Sequence, residues 1–360
     1  MQAIKQTSPY VRKQVSTKRM MIDVLIALIP VVVFSIYRFG WDAVIRILVS
    51  LILMIGLEAL IFGMMQKVKK TDKTFKERLK TKYSTYTINN VTAPAISAII
   101  FAMLMPSKIP VYAVAVGAIF AIVVVKMMFG GLGANIFNVA AAGRRFVSLA
   151  LTGMFAGVYV GMDMVAGATP LTALKSGMGF PAVLNSYPII DLITGNIPGT
   201  MGEISAIAIL IGLIYLIIRR TADYRIVVST FVTFTLLITL IGLKLYPAQW
   251  FEFVLYNIFS GGLLFGVAFM VTDPVTAPVT RPGRWLYGLL IGSLIVLIRT
   301  FGAYAEGVAA GLLFANMFVP LIDYAKWSTN KIRPRFVIGY VALFIIMALI
   351  VYFGVGGTVL

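Results

Sequence analysis

The chain has 360 residues, of which 60% are hydrophobic, and its mean hydropathy is +0.96. Its 31 Lys and Arg residues outnumber its 13 Asp and Glu residues, the net charge is +18, and it contains no His or Cys. Because haem, iron–sulfur clusters and most zinc or copper sites depend on imidazole or thiolate ligands, composition argues against all of them, and it excludes Ser-His and Cys-His nucleophiles. Redox chemistry in this chain therefore requires an organic cofactor.

Apolar runs suited to crossing a membrane recur along the whole chain. A hydrocarbon core of about 30 Å needs roughly 20 apolar residues in a helix. The sequence therefore predicts an all-α, polytopic membrane protein with about 10 to 11 crossings. The clearest spans are residues 22–37, 43–65, 91–105, 111–128, 204–218, 226–243, 253–271, 285–298, 307–322 and 336–353, and a weaker span covers 134–151.

The basic residues are distributed as in a membrane protein. Alternate loops are rich in Lys and Arg, with eight such residues in 67–82, whereas 152–203 has Lys175 as its only basic residue. Membrane proteins concentrate Lys and Arg in cytoplasmic segments, so we place the N-terminus in the cytoplasm and the loop 152–203 on the outer face of the cell membrane. We expect no removable signal peptide and no nucleic-acid partner.

The two halves of the chain resemble each other weakly. Residues 101–106 and 139–142 can be laid on 269–274 and 308–311 with small gaps. With five crossings in each half, the second copy would be inverted, an arrangement that builds sites at mid-membrane. Chance likeness among Gly- and Ala-rich helices explains the pattern equally well.

The predicted units are a cytoplasmic basic arm (1–20), an integral membrane domain (21–323) with repeats 21–151 and 204–323 around the loop 152–203, and a basic linker with an extra C-terminal helix (324–360).

The loop 152–203 carries nine glycines and four prolines, which is unusual for a connection of this length. Thr169 follows Gly167 and Ala168 and precedes Pro170, so we expect an exposed hydroxyl that an enzyme or a phosphate can approach. Taken alone, these residues are typical of a surface turn. Asp163, six residues before the threonine, favours a functional interpretation.

Asp-x-x-x-Gly-Ala-Thr, here Asp163 to Thr169, is similar to the motif at which a flavin transferase joins the phosphate of FMN to a threonine hydroxyl. The wider chain resembles the D subunit of the Rnf complex, which is homologous to the B subunit of the sodium-translocating NADH:quinone reductase. The short arm before the first span favours the Rnf protein. The resemblance covers about 320 of the 360 residues. Its segments are 8–12, 16–17, 20–30, 131–138, 272–280, 299–302 and 316–323.

The resemblance implies a membrane subunit of an ion-translocating ferredoxin:NAD+ oxidoreductase, which is not catalytic alone. It implies covalent FMN on Thr169, with Asp163, Gly167 and Ala168 as the flavinylation motif. Expected partners are the other Rnf proteins (the flavinylated G subunit, and the C, E, A and B subunits), the flavin transferase, membrane lipid, and Na+ or H+ as the exported cation. Three departures from the family pattern are Ala166, Val139 and the span that begins near residue 336.

Related proteins also hold a second, non-covalent flavin, riboflavin, within the membrane. Asn135 and Asn138 are three residues apart and would share one face of a helix, so they are candidates to hydrogen-bond this flavin. Hydrogen bonding between helices is the alternative role for the two amides.

An ionisable residue inside a span needs a reason, because burying a charge at mid-membrane costs at least about 2.5 kcal/mol on insertion scales. Glu58 lies in an apolar run, where it either serves a cation path or pairs with a basic residue of a neighbouring span. The basic candidates are Arg46, Lys126 and Arg145.

Asp273 and Asn316 complete the predicted cation path. Asp273 precedes Pro274 where a span breaks, and a carboxylate beside freed carbonyl groups suits Na+, which prefers oxygen ligands. A plain turn would explain this Asp-Pro pair almost as well. A permease or channel without redox function is the alternative for the chain as a whole, and it would not need the Asp163 to Thr169 motif.

Overall fold

The computed structural model describes residues 16–67, 74–155, 159, 169–302, 307–324 and 328–355. Over these ranges the secondary structure is helical, and the only strand-like pairing they contain is an isolated bridge between Pro106 and Thr200. The helices in the first half are α1 (Thr17–Phe39), α2 (Trp41–Met65), α3 (Phe75–Lys82), α4 (Asn89–Met103), α5 (Val111–Phe120, continued by a π-helical segment, Ala121–Met127) and α6 (Val139–Ala150). The later helices are α7 (Pro170–Lys175), α8 (Phe180–Ser186), α9 (Ile189–Thr194), α10 (Ala206–Ile218), α11 (Tyr224–Leu245), α12 (Trp250–Phe259), α13 (Leu263–Phe269), α14 (Arg281–Phe301), α15 (Val308–Ile322) and α16 (Pro334–Gly354).

The prediction of a polytopic, all-helical membrane protein is confirmed. Among the described residues, α1, α2, α11, α14 and α16 are each long and apolar enough to cross a membrane, and α12 with α13 forms a sixth candidate that bends by 49°. Four shorter apolar segments of 10–17 residues coincide with other predicted spans. They are α4, α5 with its π-helical segment, α10 and α15. The weak span near 134–151 corresponds to α6, which has 12 residues. Several apolar runs are therefore helical over only part of the membrane thickness.

The break between α12 and α13 has a clear local cause. Gly261 and Gly262 adopt φ values of +67° and +69°, a region that residues with a Cβ rarely enter. Arg299 of α14 is buried there and donates to three carbonyl groups at the end of α12, those of Asn257 (2.7 Å), Ser260 (3.1 Å) and Gly261 (3.0 Å). A cation at a helix C-terminus compensates the partial negative charge of unpaired carbonyls, so the broken helix is tolerated inside an apolar bundle.

Two pairs of helices that the predicted repeat would make equivalent, α1 with α10 and α6 with α15, cross in opposite directions. Asp23, near the start of α1, accepts a hydrogen bond from Tyr215 near the end of α10 (3.2 Å). Asn138, at the start of α6, bonds to Asn316 in the second half of α15 (3.1 Å). Antiparallel crossing of equivalent helices is the arrangement that an inverted repeat produces. The repeat boundaries themselves stay a prediction.

Residues 152–203 contain more helix than expected. The sequence predicted a long irregular loop, whereas α7, α8 and α9 lie within it. Each is six or seven residues long and buries a few apolar side chains, among them Leu171, Phe180 and Leu192. Phe180 packs edge-on against Tyr256 of α12, with ring centroids 5.6 Å apart. The segment is therefore docked on the membrane bundle over its described part.

The extra C-terminal helix is present as α16. It lies against α11 and α14, with the hydroxyl groups of Ser229 and Tyr340 3.0 Å apart. Only 6% of the 18 residues that form its most apolar stretch are buried. This helix therefore presents most of its surface to whatever surrounds the bundle.

Candidate functional site

A first cavity lies where α1, α4, α6, α10 and α13 approach one another. Its apolar wall includes Val24, Ile96, Ile100 and Phe269. Its polar wall is made by residues from both halves of the chain, namely Ser97, Lys126, Asn135, Asn138, Thr221 and Asp273. An apolar cavity with a few convergent polar groups is the usual form of a cofactor site.

The two asparagines predicted to share a helical face do line this cavity together, but not for the reason expected. Asn135 lies before α6, and its amide nitrogen donates to the carbonyl of Phe137 over 3.0 Å. Asn138 is the N-cap of α6, and its Oδ1 accepts from the backbone N–H of Ala141 over 3.0 Å. The helical-face argument was therefore wrong, because α6 begins only after Asn138. The turn before the helix brings the two side chains to one wall.

A polar network joins Asn138 to the predicted cation-path residues Asp273 and Asn316. The Nδ2 of Asn138 donates to the carboxylate of Asp273 over 3.4 Å, and its backbone N–H donates to Oδ1 of Asn316 over 3.1 Å. Asp273 also accepts from the hydroxyl of Thr276 (3.1 Å), and Asn316 donates to the hydroxyl of Tyr287 (2.7 Å). Asn316 is 1% exposed. The structure thus brings together two of the three predicted path residues beside the first cavity.

Glu58, the third predicted path residue, pairs with Lys126. The Nζ of Lys126 lies 2.6 Å from Oε2 of Glu58, and the two side chains are 3% and 1% exposed. Arg46, one of the other candidate partners, instead donates to the carbonyl of Ile109 at 2.6 and 3.0 Å. Lys126 also lines the first cavity, a role that sequence reasoning missed. The available signal was a lone lysine in the otherwise apolar run 111–128.

Thr169 is described, whereas Asp163, Gly167 and Ala168 lie outside the described residues. The side chain of Thr169 is 5% exposed, which differs from the expected open hydroxyl. The cause is local, because Oγ1 caps α7 by accepting from the backbone N–H of Thr172 (3.3 Å) and lies 2.6 Å from the hydroxyl of Thr172. Pro170 at the first helical position favours this capped start.

A second cavity lies beside Thr169. Thr172 is part of its wall, together with Arg144 and Arg145 of α6 and residues at the broken end of α12. The guanidinium of Arg144 lies 4.4 Å from the centroid of the Phe155 ring and donates to the hydroxyl of Tyr159 over 3.3 Å. Cationic and aromatic groups that meet in a concave site suit a planar, anionic ligand.

The segment α7, which Thr169 caps, is held to the bundle by its last turn. The ammonium group of Lys175 donates to the carbonyl of Gly302 at the end of α14. Burial lowers the pKa of Lys175 from its ordinary value, because the charged form loses hydration. This contact links the segment that carries the predicted flavin acceptor to the end of a long membrane helix.

The two cavities lie towards opposite ends of α6. Asn138, Val139 and Ala140 line the first cavity, whereas Arg144, Arg145 and Ser148 line the second. The start of α15 lines the second cavity through residues 308–310, the segment that the predicted repeat lays on 139–141. Asn138, the N-cap of α6, and Ser148 are ten positions apart, which is about 15 Å at the helical rise.

Comparison with known proteins supports the resemblance drawn from the motifs at the level of the family, whereas the D subunit of the Rnf complex in particular stays a prediction. The chain is 33% identical over 368 residues to the B subunit of the Na(+)-translocating NADH-quinone reductase of Haemophilus influenzae, covering 91% of this chain and 88% of the relative. It is 40% identical over 245 residues to the protein of that name from Chromohalobacter salexigens, covering 65% of this chain and 58% of the relative. The profile of the NQR2, RnfD, RnfE family matches residues 4–331. The chain therefore belongs to the NQR2, RnfD, RnfE family.

Proposed function

We propose that this chain is the membrane flavoprotein subunit of an ion-translocating redox complex, of the kind represented by the D subunit of the Rnf ferredoxin:NAD+ oxidoreductase. The observation that carries this proposal is the placement of two polar-walled cavities at the two ends of α6, with Thr169 bonded to the wall of one of them. A simple permease would need neither the flavinylation motif nor a second cavity near Thr169.

Thr169 is the proposed attachment point for FMN. In the transferase reaction the Oγ1–P bond would form as a P–O bond of the flavin donor breaks, and the Oγ1 proton would leave with the donor's remaining group. Oγ1 could then no longer donate to Thr172 but could still accept from its backbone N–H. The second cavity, which begins at Thr172, offers Arg144 and Arg145 as cationic neighbours for a phosphate or an electron-rich ring. Because Thr169 is buried, we infer that the transferase acts on this segment before α7 docks or while it is undocked.

The first cavity is the proposed riboflavin site. Its residues fit the group, because Ile96, Ile100 and Phe269 provide an apolar wall while Asn135 and Lys126 provide hydrogen-bond donors. A bound flavin would supply reversible electron acceptance, and the protein would set its position and its electrostatic surroundings. Asn138 would act mainly through the network that fixes the start of α6.

The polar network beside the first cavity is the proposed cation path. Asp273 provides carboxylate oxygens, and Asn316 and the carbonyl of Met270 provide further oxygen atoms nearby, which suits Na+ as a hard cation. Glu58 is linked to this proposed path because it forms an ion pair with Lys126, which lines the first cavity. A change of charge on a cofactor in this cavity would therefore act directly on Lys126 and Asp273, which gives a physical basis for coupling electron and cation transfer.

The protein is proposed to work only within its complex, in the cell membrane, with the flavin segment on the outer face. Its expected neighbours are the remaining Rnf proteins, among them the second flavinylated protein, the G subunit, and the C, E, A and B subunits. Exposed apolar side chains on α1 and α2, such as Ile29, Val33 and Ile52, suit contact with lipid or another protein of the complex. No nucleic-acid partner is proposed.

The choice between the Rnf and quinone-reductase assignments is testable in the intact complex. Purified complex in sealed vesicles would be supplied with either reduced ferredoxin and NAD+ or NADH and a quinone, while uptake of Na+ and of H+ is followed. We expect ferredoxin-dependent NAD+ reduction with cation uptake, and loss of both with Thr169→Val. Electron transfer only from NADH to quinone would instead assign the chain to a Na(+)-translocating NADH-quinone reductase, the complex of its relatives. Cation movement that persists with Thr169→Val and no electron donor would favour a permease.

A further inference from the structure

A basic cavity of about 400 Å³ lies at one end of the bundle, away from both flavin sites. Three basic side chains, Lys331, Arg333 and Arg335, line it. The apolar residues Leu286, Ile322 and Phe336 also line it, as do Thr280, Ser328 and Thr329. Since a liquid water molecule takes about 30 Å³, the space is large enough for a polyatomic headgroup.

Two helix N-termini meet at this cavity. α14 begins at Arg281 and α16 at Pro334, and neither helix has an acidic residue in its first turn. Helix N-termini carry partial positive charge, which adds to the positive potential of the basic side chains. At α14 this is a dipole effect alone, because the N–H groups of Arg281 and Gly283 already donate to Asn330 and Thr280. Basic side chains and the positive ends of two helix dipoles therefore lie around the same cavity.

The nearby carboxylates are committed to other partners. Asp323 accepts from the backbone N–H groups of Val279 (2.8 Å) and Thr280 (3.4 Å). Asp223 pairs with Arg225 and Arg284. In the described part of the chain, no carboxylate lies within ion-pair distance of Lys331, Arg333 or Arg335.

The surroundings of the cavity favour a lipid over a free anion. The cavity lies at the end of α15 and the starts of α14 and α16, which is where membrane helices meet water. α16 then continues for 21 residues with exposed apolar side chains such as Val337 (47%), Ile338 (68%) and Val341 (47%). A ligand with a phosphate in the cavity and acyl chains along α16 would cover both features.

We propose that this cavity binds the headgroup of an anionic phospholipid, with Lys331, Arg333 and Arg335 around the phosphate. Basic pockets between membrane helices are known to suit such headgroups. The family match ends at residue 331, so Arg333, Arg335 and Phe336 of this site lie beyond it, whereas Lys331 and the other lining residues lie within it. The extension would thereby attach the protein to a defined lipid rather than only add a helix.

Native mass spectrometry of the full-length chain in detergent, titrated with dioctanoyl phosphatidylglycerol, tests this proposal. We expect one tight copy of this lipid, little binding of dioctanoyl phosphatidylcholine, and no competition by millimolar-range inorganic phosphate. The triple variant Lys331→Gln, Arg333→Gln, Arg335→Gln should bind phosphatidylglycerol roughly 100-fold more weakly, because each basic group near a membrane surface contributes about a fivefold factor.

The matched control removes the same charge from α3, through Lys76→Gln, Lys80→Gln and Lys82→Gln, and should bind as the unaltered chain does. The charge-retaining variant Arg333→Lys, Arg335→Lys should keep most of the affinity, which separates lost binding from lost folding. Equal binding of phosphatidylglycerol by the triple variant, equal loss in the control, or equal affinity for phosphatidylcholine would overturn the proposal. Competition by inorganic phosphate would show an anion site that does not select lipid.

Discussion

The backbone N–H of Asn138 donates to Oδ1 of Asn316 over 3.1 Å, although 178 residues separate them. Asn138 is the N-cap of α6 and Asn316 lies within α15, so this bond joins two helices that the predicted repeat would make equivalent. The Nδ2 of Asn316 donates to the hydroxyl of Tyr287 in α14 (2.7 Å) and to the carbonyl of Thr276 (3.2 Å). One buried side chain therefore fixes three segments around the first cavity.

Asn316→Leu should destabilise the protein, since it leaves the N–H of Asn138 and the hydroxyl of Tyr287 buried without this partner. Each unsatisfied buried group costs about 1–3 kcal/mol, so we expect a total loss of roughly 2–5 kcal/mol. Thermal unfolding of the complex measures it. Asn185→Leu, on the exposed face of α8, is the matched control and should change stability little. Equal unfolding temperatures for the two variants would contradict the bridging role.

Lys126→Met should be more harmful than the double variant Lys126→Met, Glu58→Gln. The single change leaves a buried carboxylate without its cation, at a cost of about 3–5 kcal/mol, whereas the double change removes both charges. Unfolding temperatures of the two single variants and the double variant form a cycle that isolates the pair. A double variant no more stable than Lys126→Met would show that the 2.6 Å contact does not decide stability.

Asn135→Ala should reduce the flavin that can be extracted without breaking covalent bonds, while the flavin on Thr169 stays. The reason is that Asn135 lines the first cavity and makes its one described side-chain hydrogen bond to a nearby carbonyl. Acid precipitation of the complex separates soluble from protein-bound flavin, and absorbance quantifies both.

Asn138 needs a different substitution because it also caps α6. Asn138→Ser keeps a capping oxygen, whereas Asn138→Ala loses about 1 kcal/mol of cap stabilisation. If Asn138 acts chiefly by fixing the start of α6, Asn138→Ser should retain more extractable flavin than Asn138→Ala. An unchanged amount of extractable flavin in both Asn135→Ala and Asn138→Ala would show that the first cavity is not the riboflavin site.

Gly261→Ala should disrupt the break between α12 and α13. An alanine at φ +67° is strained, and its Cβ would lie 2.2 Å from Cδ1 of Leu171. Strain of about 1–2 kcal/mol and overpacking of about 1–3 kcal/mol predict clear destabilisation. Gly56→Ala in α2 is the control, because its Cβ meets nothing within 4 Å and its φ is ordinary. Similar protease resistance of the two variants in membranes would show that the break is not constrained.

Hydropathy predicted the membrane helices well because burial in lipid demands long apolar runs whatever their packing. It did not predict α7 to α9, since helices of six or seven residues depend on docking rather than on their own periodicity. The local signal at Thr169 and Pro170 for a capped helix was available but was interpreted as a turn.

Long-range partners were harder to predict. Glu58 had three candidate cations in neighbouring spans, and only the packing of α2 along the π-helical segment selects Lys126. The spacing of Asn135 and Asn138 correctly suggested that the two side chains lie together, but they do so in the turn before α6 and not on one face of a helix. Asp163, Gly167 and Ala168 lie outside the described residues, so the flavinylation motif still rests on sequence.

The claim that Thr169 carries FMN is tested most directly by in-gel flavin fluorescence of the denatured protein, followed by mass mapping of the fluorescent peptide. In cells with an active flavin transferase, we predict a fluorescent band whose FMN mass lies on Thr169, no fluorescence with Thr169→Ala, and retained fluorescence with Thr172→Val. A dark unaltered protein, or fluorescence that survives Thr169→Ala, would contradict the redox account.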